Sequence, residues 1–369
     1  MARYDYLIVG AGLFGSVFAH EACEGGRSCL VIDRRDAVGG NIRCREIDSI
    51  NVHLYGAHIF HTDRQRLWKY VTRFVEMNNY INAPIAFNNG RIFNLPFNMN
   101  TFYQLWGVTT PAEAKAEIER QRAPFAHIAK PANLEEQALT LCGRDIYELL
   151  IRDYTEKQWG RKCSELPAFI IKRIPLRFTF NNNYFNDTYQ GIPIGGYNRL
   201  IDALLSDVEV RTGVDFLADR SNLSQLARKI IFTGCIDQFY DYCFGPLAYR
   251  SLRFEHQRLD IPDFQGNAVV NYTSSDQPFT RIIEHKHFEF GNQQHTIITR
   301  EYSETFELGR EPYYPVNDNA NSAIYAKYQR RAAAEAGVRF GGRLGSYTYA
   351  DMDDTIAAAL ALWERERLC

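Results

Sequence analysis

The chain opens on a short apolar run that turns through glycines into a helical stretch. Residues 4–9 read YDYLIV, the turn spans Gly10 to Gly15, and a second apolar run of residues 28–32 ends at Asp33. Short β-rich apolar runs on either side of a helical stretch predict a strand, a helix and a second strand. Their combined length of about thirty residues is that of a βαβ unit.

The rest of the chain alternates between helical and strand-like patterns. Residues 62–78 predict a helix with Thr62 as its N-cap, and residues 84–96 predict a hairpin around an Asn-Asn-Gly turn. Residues 98–160 predict a series of helices, one of them capped by Asp145. Later residues predict strands separated by turns, followed by a helix and a closing amphipathic helix.

Composition limits the function classes. The 369 residues are 46% hydrophobic and carry a formal net charge of -2, so a sizeable core is expected, without the basic surplus of a nucleic-acid partner. The aromatic content of 14% fits either a large aromatic core or a pocket whose rings stack on a sugar or nucleotide. No apolar run reaches the roughly 18 residues that cross a bilayer, so we expect no membrane partner.

The cysteines and histidines bear on compartment and metal. The eight cysteines are scattered, with no CxxC pair and no zinc spacing, and the N-terminus lacks the pattern of a signal peptide. We therefore expect a cytoplasmic protein with reduced thiols. His58 and His61 have a spacing that could suggest a metal, but neither a carboxylate nor a cysteine completes the set, so no metal is expected.

The glycine turn follows the pattern G-x-G-x-x-G. The first glycine permits the tight turn, the second lets the backbone approach a pyrophosphate, and the third lets the helix pack on the strand. The helix N-terminus adds N–H groups and a favourable dipole. An acidic residue should follow about 20 residues later to bind the ribose. The sequence therefore predicts a dinucleotide site that includes Gly10, Gly12, Phe14, Gly15 and Asp33.

NAD and FAD share this pattern, and the following residues favour FAD. Residues 34–41 read RRDAVGGN, and a Gly-Gly soon after the acidic residue resembles FAD proteins of the glutathione-reductase type. A glycine pair allows a second close backbone approach near the diphosphate. A later Thr-Gly after a predicted strand and the arginine of FGGR fit the same site, although FGGR could also be a plain turn. These features add six residues to the predicted FAD site: Arg34, Gly40, Asn41, Thr233, Gly234 and Arg343.

Nearly the whole chain resembles the bacterial UDP-galactopyranose mutases. The most specific segments are YGAHIFHT (55–62), FNLPFNMNTF (93–102), YTEKQWG (154–160), FIIKRIP (169–175), NNYF (182–185), RIIEHK (281–286), EPYYPVND (311–318) and FGGRL (340–344). The resemblance implies an isomerase that interconverts UDP-galactopyranose and UDP-galactofuranose without net redox change. It implies that N5 of reduced FAD attacks the anomeric carbon and displaces UDP, after which the sugar ring opens and recloses.

The resemblance also implies roles for individual residues. Arg173 and Arg281 would bind the diphosphate as catalytic residues, because planar guanidiniums bind phosphate bidentately and stay charged. His58 would act beside the flavin, with Ile59, while Asp351 and Met352 would bring the start of the last helix to the flavin. The implied substrate-binding residues, besides the two arginines, are Asn82, Tyr154, Thr155, Trp159, Tyr184, Asn271, Tyr314 and Tyr349.

Two alternatives to the mutase are a flavin-dependent oxidoreductase of the amine-oxidase type and a UDP-sugar-binding protein with an inert flavin. The hexose could be galactose or N-acetylgalactosamine, and the resemblance favours galactose. It also implies a homodimer or higher homo-oligomer and a role in cell-surface polysaccharide biosynthesis.

The expected fold class is α/β: a Rossmann-type FAD-binding domain with an inserted helical domain and an antiparallel-sheet substrate domain. The expected FAD-binding domain is discontinuous and comprises residues 1–80, 196–240 and 330–369. The expected helical domain comprises residues 98–165. The expected antiparallel-sheet domain comprises residues 81–97, 166–195 and 241–329.

Overall fold

The computed structural model describes residues 2–171 and 175–368. The chain folds into two compact units. Unit 1 comprises Met1–Tyr80, Asp187–Tyr249 and Arg310–Cys369, and unit 2 comprises Ile81–Asn186 and Arg250–Gly309. In the part of the chain that the structure describes, no helix combines the length and apolar character needed to cross a membrane.

A five-stranded parallel sheet is the centre of unit 1. Its strands lie in the order Val338–Phe340, Ala227–Phe232, Tyr4–Val9, Cys29–Asp33 and Glu209–Thr212. All five residues of the strand Cys29–Asp33 are buried, as expected for a parallel sheet covered on both faces. The predicted βαβ unit is confirmed, because the helix Leu13–Glu24 connects the strands Tyr4–Val9 and Cys29–Asp33.

The closing helix, Met352–Glu366, packs on the first helix of unit 1. The indole of Trp363 makes edge contacts with the rings of Tyr6 and Phe18, at centroid distances of 6.4 and 6.0 Å. The N-terminal and C-terminal parts of the chain therefore share one core. The other helices of unit 1 are Gln65–Val71, Asn198–Leu204, Arg220–Leu223, Ile236–Phe239, Asn319–Ala333 and Gly342–Gly345, and its short strands are Cys44–Ile47, Ile50–His53, Phe60–Thr62, Tyr189–Gly191 and Tyr314–Pro315.

Unit 2 contains a largely antiparallel sheet. Neighbouring strands lie in the order Tyr249–Leu259, Thr296–Thr305, Arg281–Glu284, Val269–Tyr272, Ile85–Asn88 and Arg91–Asn94. The hairpin predicted for residues 84–96 is confirmed by the last two strands, which pair antiparallel. Only the pairing of Val269–Tyr272 with Ile85–Asn88 is parallel among these neighbours.

The helices of unit 2 are Met99–Trp106, Pro111–Arg122, Leu134–Cys142, Arg144–Ile146 and Arg152–Trp159. The residues Tyr147–Ile151 form a π-helical segment immediately before the last of these helices. The π-helix is rare in proteins, occurs mostly as single turns next to α-helical segments, and is frequent at functional sites. Thr110 and Asn133 cap two helices through hydrogen bonds to the backbone N–H groups three residues on, as the sequence favours.

Two predicted helix starts are wrong. Thr62 ends the strand Phe60–Thr62, and its hydroxyl donates to Asp353 Oδ2 at 2.8 Å, while the helix begins at Gln65. Asp145 lies inside a helix that begins one residue earlier, and its Oδ2 accepts from Trp106 Nε1 at 2.8 Å. Distant partners occupy both side chains, and local sequence does not reveal such partners.

The division into two units is coarser than the three predicted domains. Residues 98–165 and the strands of the antiparallel sheet lie in the same compact unit. Unit 1 also extends over 187–249 and 310–369, beyond the segments 196–240 and 330–369 expected for it. The finer division into three domains stays a prediction.

A buried carboxylate ties the closing helix to the parallel sheet. Glu366, whose side chain is 4% exposed, accepts from Lys229 Nζ at 2.6 Å and from Arg339 Nε at 2.8 Å. Burial alone would raise the pKa of Glu366, but the hydrogen bonds from Lys229 and Arg339 outweigh it and hold that pKa below its ordinary value of 4.5. The stabilisation is therefore complete above pH 4.5 and is lost as the pH falls through the lower pKa of the folded state.

We expect Glu366→Gln to lower the free energy of unfolding at pH 7 by about 1–3 kcal/mol, because two buried donors lose a charged acceptor. The difference in the free energy of unfolding between wild type and Glu366→Gln should become smaller below pH 4.5, as wild-type Glu366 becomes protonated. Denaturant unfolding at pH 7 and pH 4 measures both effects. Glu364→Gln is the control, because Glu364 pairs with Arg367 on the exposed surface and its loss should cost less than about 0.5 kcal/mol. An equal loss in the two variants would contradict the prediction.

Candidate active site

The predicted dinucleotide turn is built so that two glycines cannot be replaced. Gly10 has a φ of +110°, and a Cβ there would lie 2.0 Å from Thr233 Oγ1. A Cβ on Gly15 would lie 2.0 Å from the carbonyl oxygen of Gly10. Thr233 itself donates its hydroxyl to Val9 O at 2.8 Å, so it holds the turn at the carboxyl end of the first strand. Packing therefore explains Gly10 and Gly15, and Thr233 lies directly against the turn.

Gly12 differs from Gly10 and Gly15, because a Cβ at Gly12 would not collide with other protein atoms. A Cβ there would lie 3.7 Å from Gly40 Cα, the nearest non-neighbouring heavy atom among the described residues, which is an ordinary contact. Gly40 approaches closely from the second glycine pair, since its own Cβ would lie 2.9 Å from Gly12 Cα. Gly12 is also the N-cap of Leu13–Glu24 and has no side chain to satisfy the first N–H groups of the helix. The result is a surface of bare backbone at a helix N-terminus, which suits a pyrophosphate.

Asp33 lies at the end of the second strand, as predicted, and is 8% exposed. Its two carboxylate oxygens accept from the backbone N–H groups of Ala11 and Arg35, at 2.8 and 2.9 Å. These bonds fix the carboxylate beside the glycine turn. A carboxylate has about four acceptor sites, so acceptor capacity remains for ribose hydroxyls.

A basic cluster next to Asp33 contains two residues that sequence reasoning missed. Glu311 pairs with Arg34 and accepts from Arg35 Nη2 at 3.1 Å. The same Nη2 donates to Asn41 Oδ1 at 3.1 Å, and the Arg35 guanidinium lies 4.6 Å from the ring centroid of Tyr55. Arg34 and Asn41 are thus brought together through Arg35 and Glu311. Glu311 is remote in sequence, so no local pattern could have identified it.

The late glycine turn packs on the first turn of the helix through Phe14. A Cβ on Gly341 would lie 2.2 Å from Cζ of Phe14, which is buried. Arg343 Nη2 donates to Tyr313 O at 3.2 Å. Gly234 follows Thr233 after the strand Ala227–Phe232, which pairs parallel with both Tyr4–Val9 and Val338–Phe340. The late glycine turn and the first glycine turn therefore lie at the same edge of the sheet. Packing accounts for Phe14, and its contact with the cofactor stays a prediction.

The histidines of residues 53–61 have defined partners. His58 donates its backbone N–H to Nδ1 of His53 at 3.2 Å, and its own Nδ1 lies 2.9 Å from Gly56 O. Burial lowers the pKa of His53 to about 3, so this ring is a neutral acceptor at pH 7. Ile59 follows on the same half-exposed stretch. The arrangement holds the backbone around the predicted flavin-side histidine in one conformation.

The start of the closing helix lies near a histidine–aspartate pair. Asp351 is the N-cap of Met352–Glu366, and burial raises its pKa, while the charge of His61 opposes that rise. His61 Nδ1 contacts a carboxylate oxygen of Asp187. Asp187 is a further site residue that sequence reasoning missed, because its distance along the chain from His61 hides the pair.

In unit 2, the structure brings several predicted substrate residues together in pairs. Asn82 O accepts from the backbone N–H of Tyr184 at 2.7 Å. Asn271 and Arg281 are directly opposite each other on neighbouring antiparallel strands, which puts their side chains on one face. Tyr154, Thr155 and Trp159 share the helix Arg152–Trp159. In unit 1, the rings of Tyr314 and Tyr349 lie 5.9 Å apart. Arg173 lies outside the described residues.

Arg281 is oriented by a buried acid. Its Nε donates to Glu301 Oε1 at 2.9 Å, and the Glu301 side chain is 1% exposed. The two residues lie opposite each other in the register of their strands. A buried carboxylate needs a charged partner, so this pair fixes the plane of the guanidinium. Glu301 was also missed, because strand register is not visible in the sequence.

A cluster of possible metal ligands lies elsewhere in unit 2. Asp263, Glu284 and His287 each bring one ligand atom within 4.8 Å of the others. Burial would raise the pKa of Glu284, but hydrogen bonds from His287, from Thr296 and from two backbone N–H groups at 2.9 Å outweigh it and lower that pKa to about 2. Glu284 in turn raises the pKa of His287. This is the hydrogen bonding of a buried ion pair.

Comparison with known families matches both parts of this arrangement. A family described as UDP-galactopyranose mutase matches residues 149–349, and one described as NAD(P)-binding Rossmann-like domain matches residues 8–74. The crystal structure of a reduced UDP-galactopyranose mutase has a TM-score of 0.77 at 14% identity and covers 99% of this chain and 94% of its own. A redesigned putrescine oxidase has a TM-score of 0.54 at 12% identity over 99% of both chains. These likenesses confirm the α/β fold with its Rossmann-type unit.

Sequence relatives are more specific than the fold. A Klebsiella pneumoniae protein named "Probable UDP-galactopyranose mutase" is 41% identical over 368 residues, 98% of this chain and 94% of its own. The dTDP-fucopyranose mutase of Escherichia coli is 36% identical over 363 residues, 96% of each chain. The UDP-galactopyranose mutase of Mycoplasma pneumoniae is 30% identical over 387 residues, 98% of this chain and 96% of its own. Because the relationship extends over nearly the whole chain, the protein belongs to the UDP-galactopyranose mutase family.

Proposed function

We propose that this protein is an isomerase that interconverts UDP-galactopyranose and UDP-galactofuranose, with FAD in its reduced form as cofactor. The observation that carries the proposal is the 41% identity over 98% of the chain to a protein named as such a mutase. Fold alone would not distinguish this reaction, because an oxidase of the same architecture also superposes over nearly the full length. A flavin oxidoreductase of the amine-oxidase type is therefore the second candidate.

The residues of unit 1 suit FAD. Bare backbone at Gly12 and Gly40 and an uncapped helix N-terminus fit a pyrophosphate, while the carboxylate of Asp33 fits the adenosine ribose. When bound and reduced, the flavin supplies a nucleophilic nitrogen that can displace UDP from the anomeric carbon. His58, whose backbone is anchored on His53, is proposed to lie beside the flavin ring, with Ile59, Asp351 and Met352 close to it.

The residues proposed for the substrate supply charge to the diphosphate and surfaces to the uridine. Arg281 and Arg173 would stabilise the negative charge that develops on departing UDP, and Glu301 holds the former in a fixed plane. Tyr314 and Tyr349 would donate hydroxyl hydrogen bonds to phosphate oxygens. The proposed uridine and sugar contacts are Asn82, Tyr154, Thr155, Trp159, Tyr184 and Asn271.

The family includes a relative whose name specifies a different nucleotide and a different sugar. Membership of the family therefore does not by itself determine the substrate. We propose galactose rather than N-acetylgalactosamine as the hexose. We further propose a cytoplasmic homodimer or higher homo-oligomer that serves cell-surface polysaccharide biosynthesis. These proposals rest on the resemblance to the family.

The first test is catalysis under reducing conditions. Purified protein should show flavin absorbance and, after reduction by dithionite, should convert UDP-galactofuranose to UDP-galactopyranose, as followed by liquid chromatography. Turnover should stop when the flavin is reoxidised, and no oxygen should be consumed in step with product. UDP-N-acetylgalactosamine and dTDP-fucopyranose are the comparison substrates. Stoichiometric oxygen consumption with an amine would instead support the oxidase.

A second test uses the space beside Gly12. Gly12→Ala should fold normally, because its Cβ would make only an ordinary contact with Gly40 Cα at 3.7 Å, but that Cβ would occupy the approach to the pyrophosphate. We expect at least about tenfold less bound flavin per protein, with the melting temperature of the flavin-free protein unchanged. Gly337→Ala is the control, because its Cβ would lie in open space among the described residues. Wild-type flavin content in Gly12→Ala would argue against this site.

A third test concerns the geometry of Arg281. Arg281→Lys keeps the charge but loses the planar fork that Glu301 orients, so kcat/KM should fall by about 10²–10³. Arg253→Lys is a matched control on the same sheet, since Arg253 forms surface ion pairs with Glu255 and Glu304, and its kcat/KM should change less than about twofold. Similar effects in both variants would remove Arg281 from the proposed site.

A further inference from the structure

The ammonium of a partly buried lysine in unit 2 lies against carbonyl groups of a single turn. Nζ of Lys157 lies 2.7, 2.8, 3.0 and 3.0 Å from the carbonyl oxygens of Tyr272, Ser274, Gln277 and Phe279. An ammonium has three N–H donors and no acceptor, so four acceptors at these distances give every donor a partner. We name residues 272–279 the carbonyl turn. A single side chain from the helix Arg152–Trp159 therefore contacts four residues of the carbonyl turn.

The carbonyl turn connects the two strands that carry proposed substrate residues. Asn271 lies in the strand Val269–Tyr272 that enters the turn, and Arg281 begins the strand Arg281–Glu284 that leaves it. The two residues are paired across the strands. The geometry of a turn sets the register of the strands that it joins, so a loosened turn would shift Arg281 relative to Asn271.

The helix that supplies Lys157 also carries Tyr154, Thr155 and Trp159. A second bond from the same helix supports the contact, because Asp153 Oδ2 accepts from the backbone N–H of Ser275 at 3.2 Å. Asp153 lies four residues before Lys157, and such residues share one helix face. This face is thus attached to the carbonyl turn at two points.

We propose that Lys157 is a positioning residue, whose ammonium fixes the carbonyl turn against the helix Arg152–Trp159 and so sets the place of Arg281 and Asn271 relative to the base-binding residues. The assignment of substrate roles to those residues rests on the proposed function. The contact itself is independent of it.

The charge on Lys157 is costly to bury, which argues against simple space filling. Burial lowers the pKa of Lys157 to about 8, although the charges of Asp276 and Asp153 oppose that change. An apolar side chain would fill the same space without this desolvation. It would leave four carbonyl groups without their donor, and the turn would have to open to water to satisfy them.

Lys286 provides a matched comparison in the same unit. It is 5% exposed, and its Nζ donates to Pro262 O at 2.7 Å and to Gln293 O at 2.6 Å. Its partners lie in loops to which no substrate residue is assigned. Lys157→Met and Lys286→Met therefore each remove an ammonium held by backbone carbonyl oxygens, with different expected effects on function.

The experiment compares both variants as flavin-loaded protein by hydrogen exchange and by UDP binding. Lys157→Met should speed amide exchange in residues 272–281 by at least about tenfold, while Lys286→Met leaves that segment unchanged. Lys157→Met should also weaken UDP binding about tenfold, but binding of uridine alone less than about twofold, because the helix stays in place. Its kcat/KM for UDP-galactofuranose should fall about 10²-fold, against a change of less than about twofold in Lys286→Met.

Lys157→Gln keeps two N–H donors and should fold even if Lys157→Met does not, with intermediate values of each quantity. Unchanged exchange in residues 272–281, or equal effects of the two lysine variants on UDP binding, would overturn the inference. If wild-type protein binds no UDP, the proposed function fails, and the exchange measurement still decides whether Lys157 holds the turn.

Discussion

The structure depends on matching each buried charge with dedicated partners. Glu301 is buried against Arg281 and Glu366 against Lys229 and Arg339, and the ammonium of the partly buried Lys157 lies against four carbonyl oxygens. Each ion is expensive to remove from water, so each arrangement is stable only in one geometry. Charges held in this way determine where helices and strands meet. The same constraint that specifies the fold also orients the guanidinium proposed for the diphosphate.

Local sequence predicted the parts of the protein that depend on local chemistry. The glycine turn after Tyr4–Val9, the following helix and Asp33 could be read directly, because each needs a particular residue at a fixed spacing. The hairpin of residues 84–96 follows from turn preferences.

The remainder depends on contacts between distant residues. Thr62 and Asp145 look like helix caps, but Asp353 and Trp106 occupy their side chains. Glu301 became visible only once the strand register placed it opposite Arg281. The two-unit division also joins helical and sheet segments that their patterns suggest should be separate. In each case the deciding partner lies far along the chain, where periodicity and propensity carry no information.

The discontinuity of unit 1 has a consequence for how the protein is made. Its core requires Trp363, on the closing helix, to pack against Tyr6 and Phe18 of the N-terminal βαβ unit. The N-terminal βαβ segment is therefore synthesised well before its final partner, and the part of its apolar surface that Trp363 covers stays exposed until the closing helix is made. A chaperone that shields the nascent first helix would act during that interval.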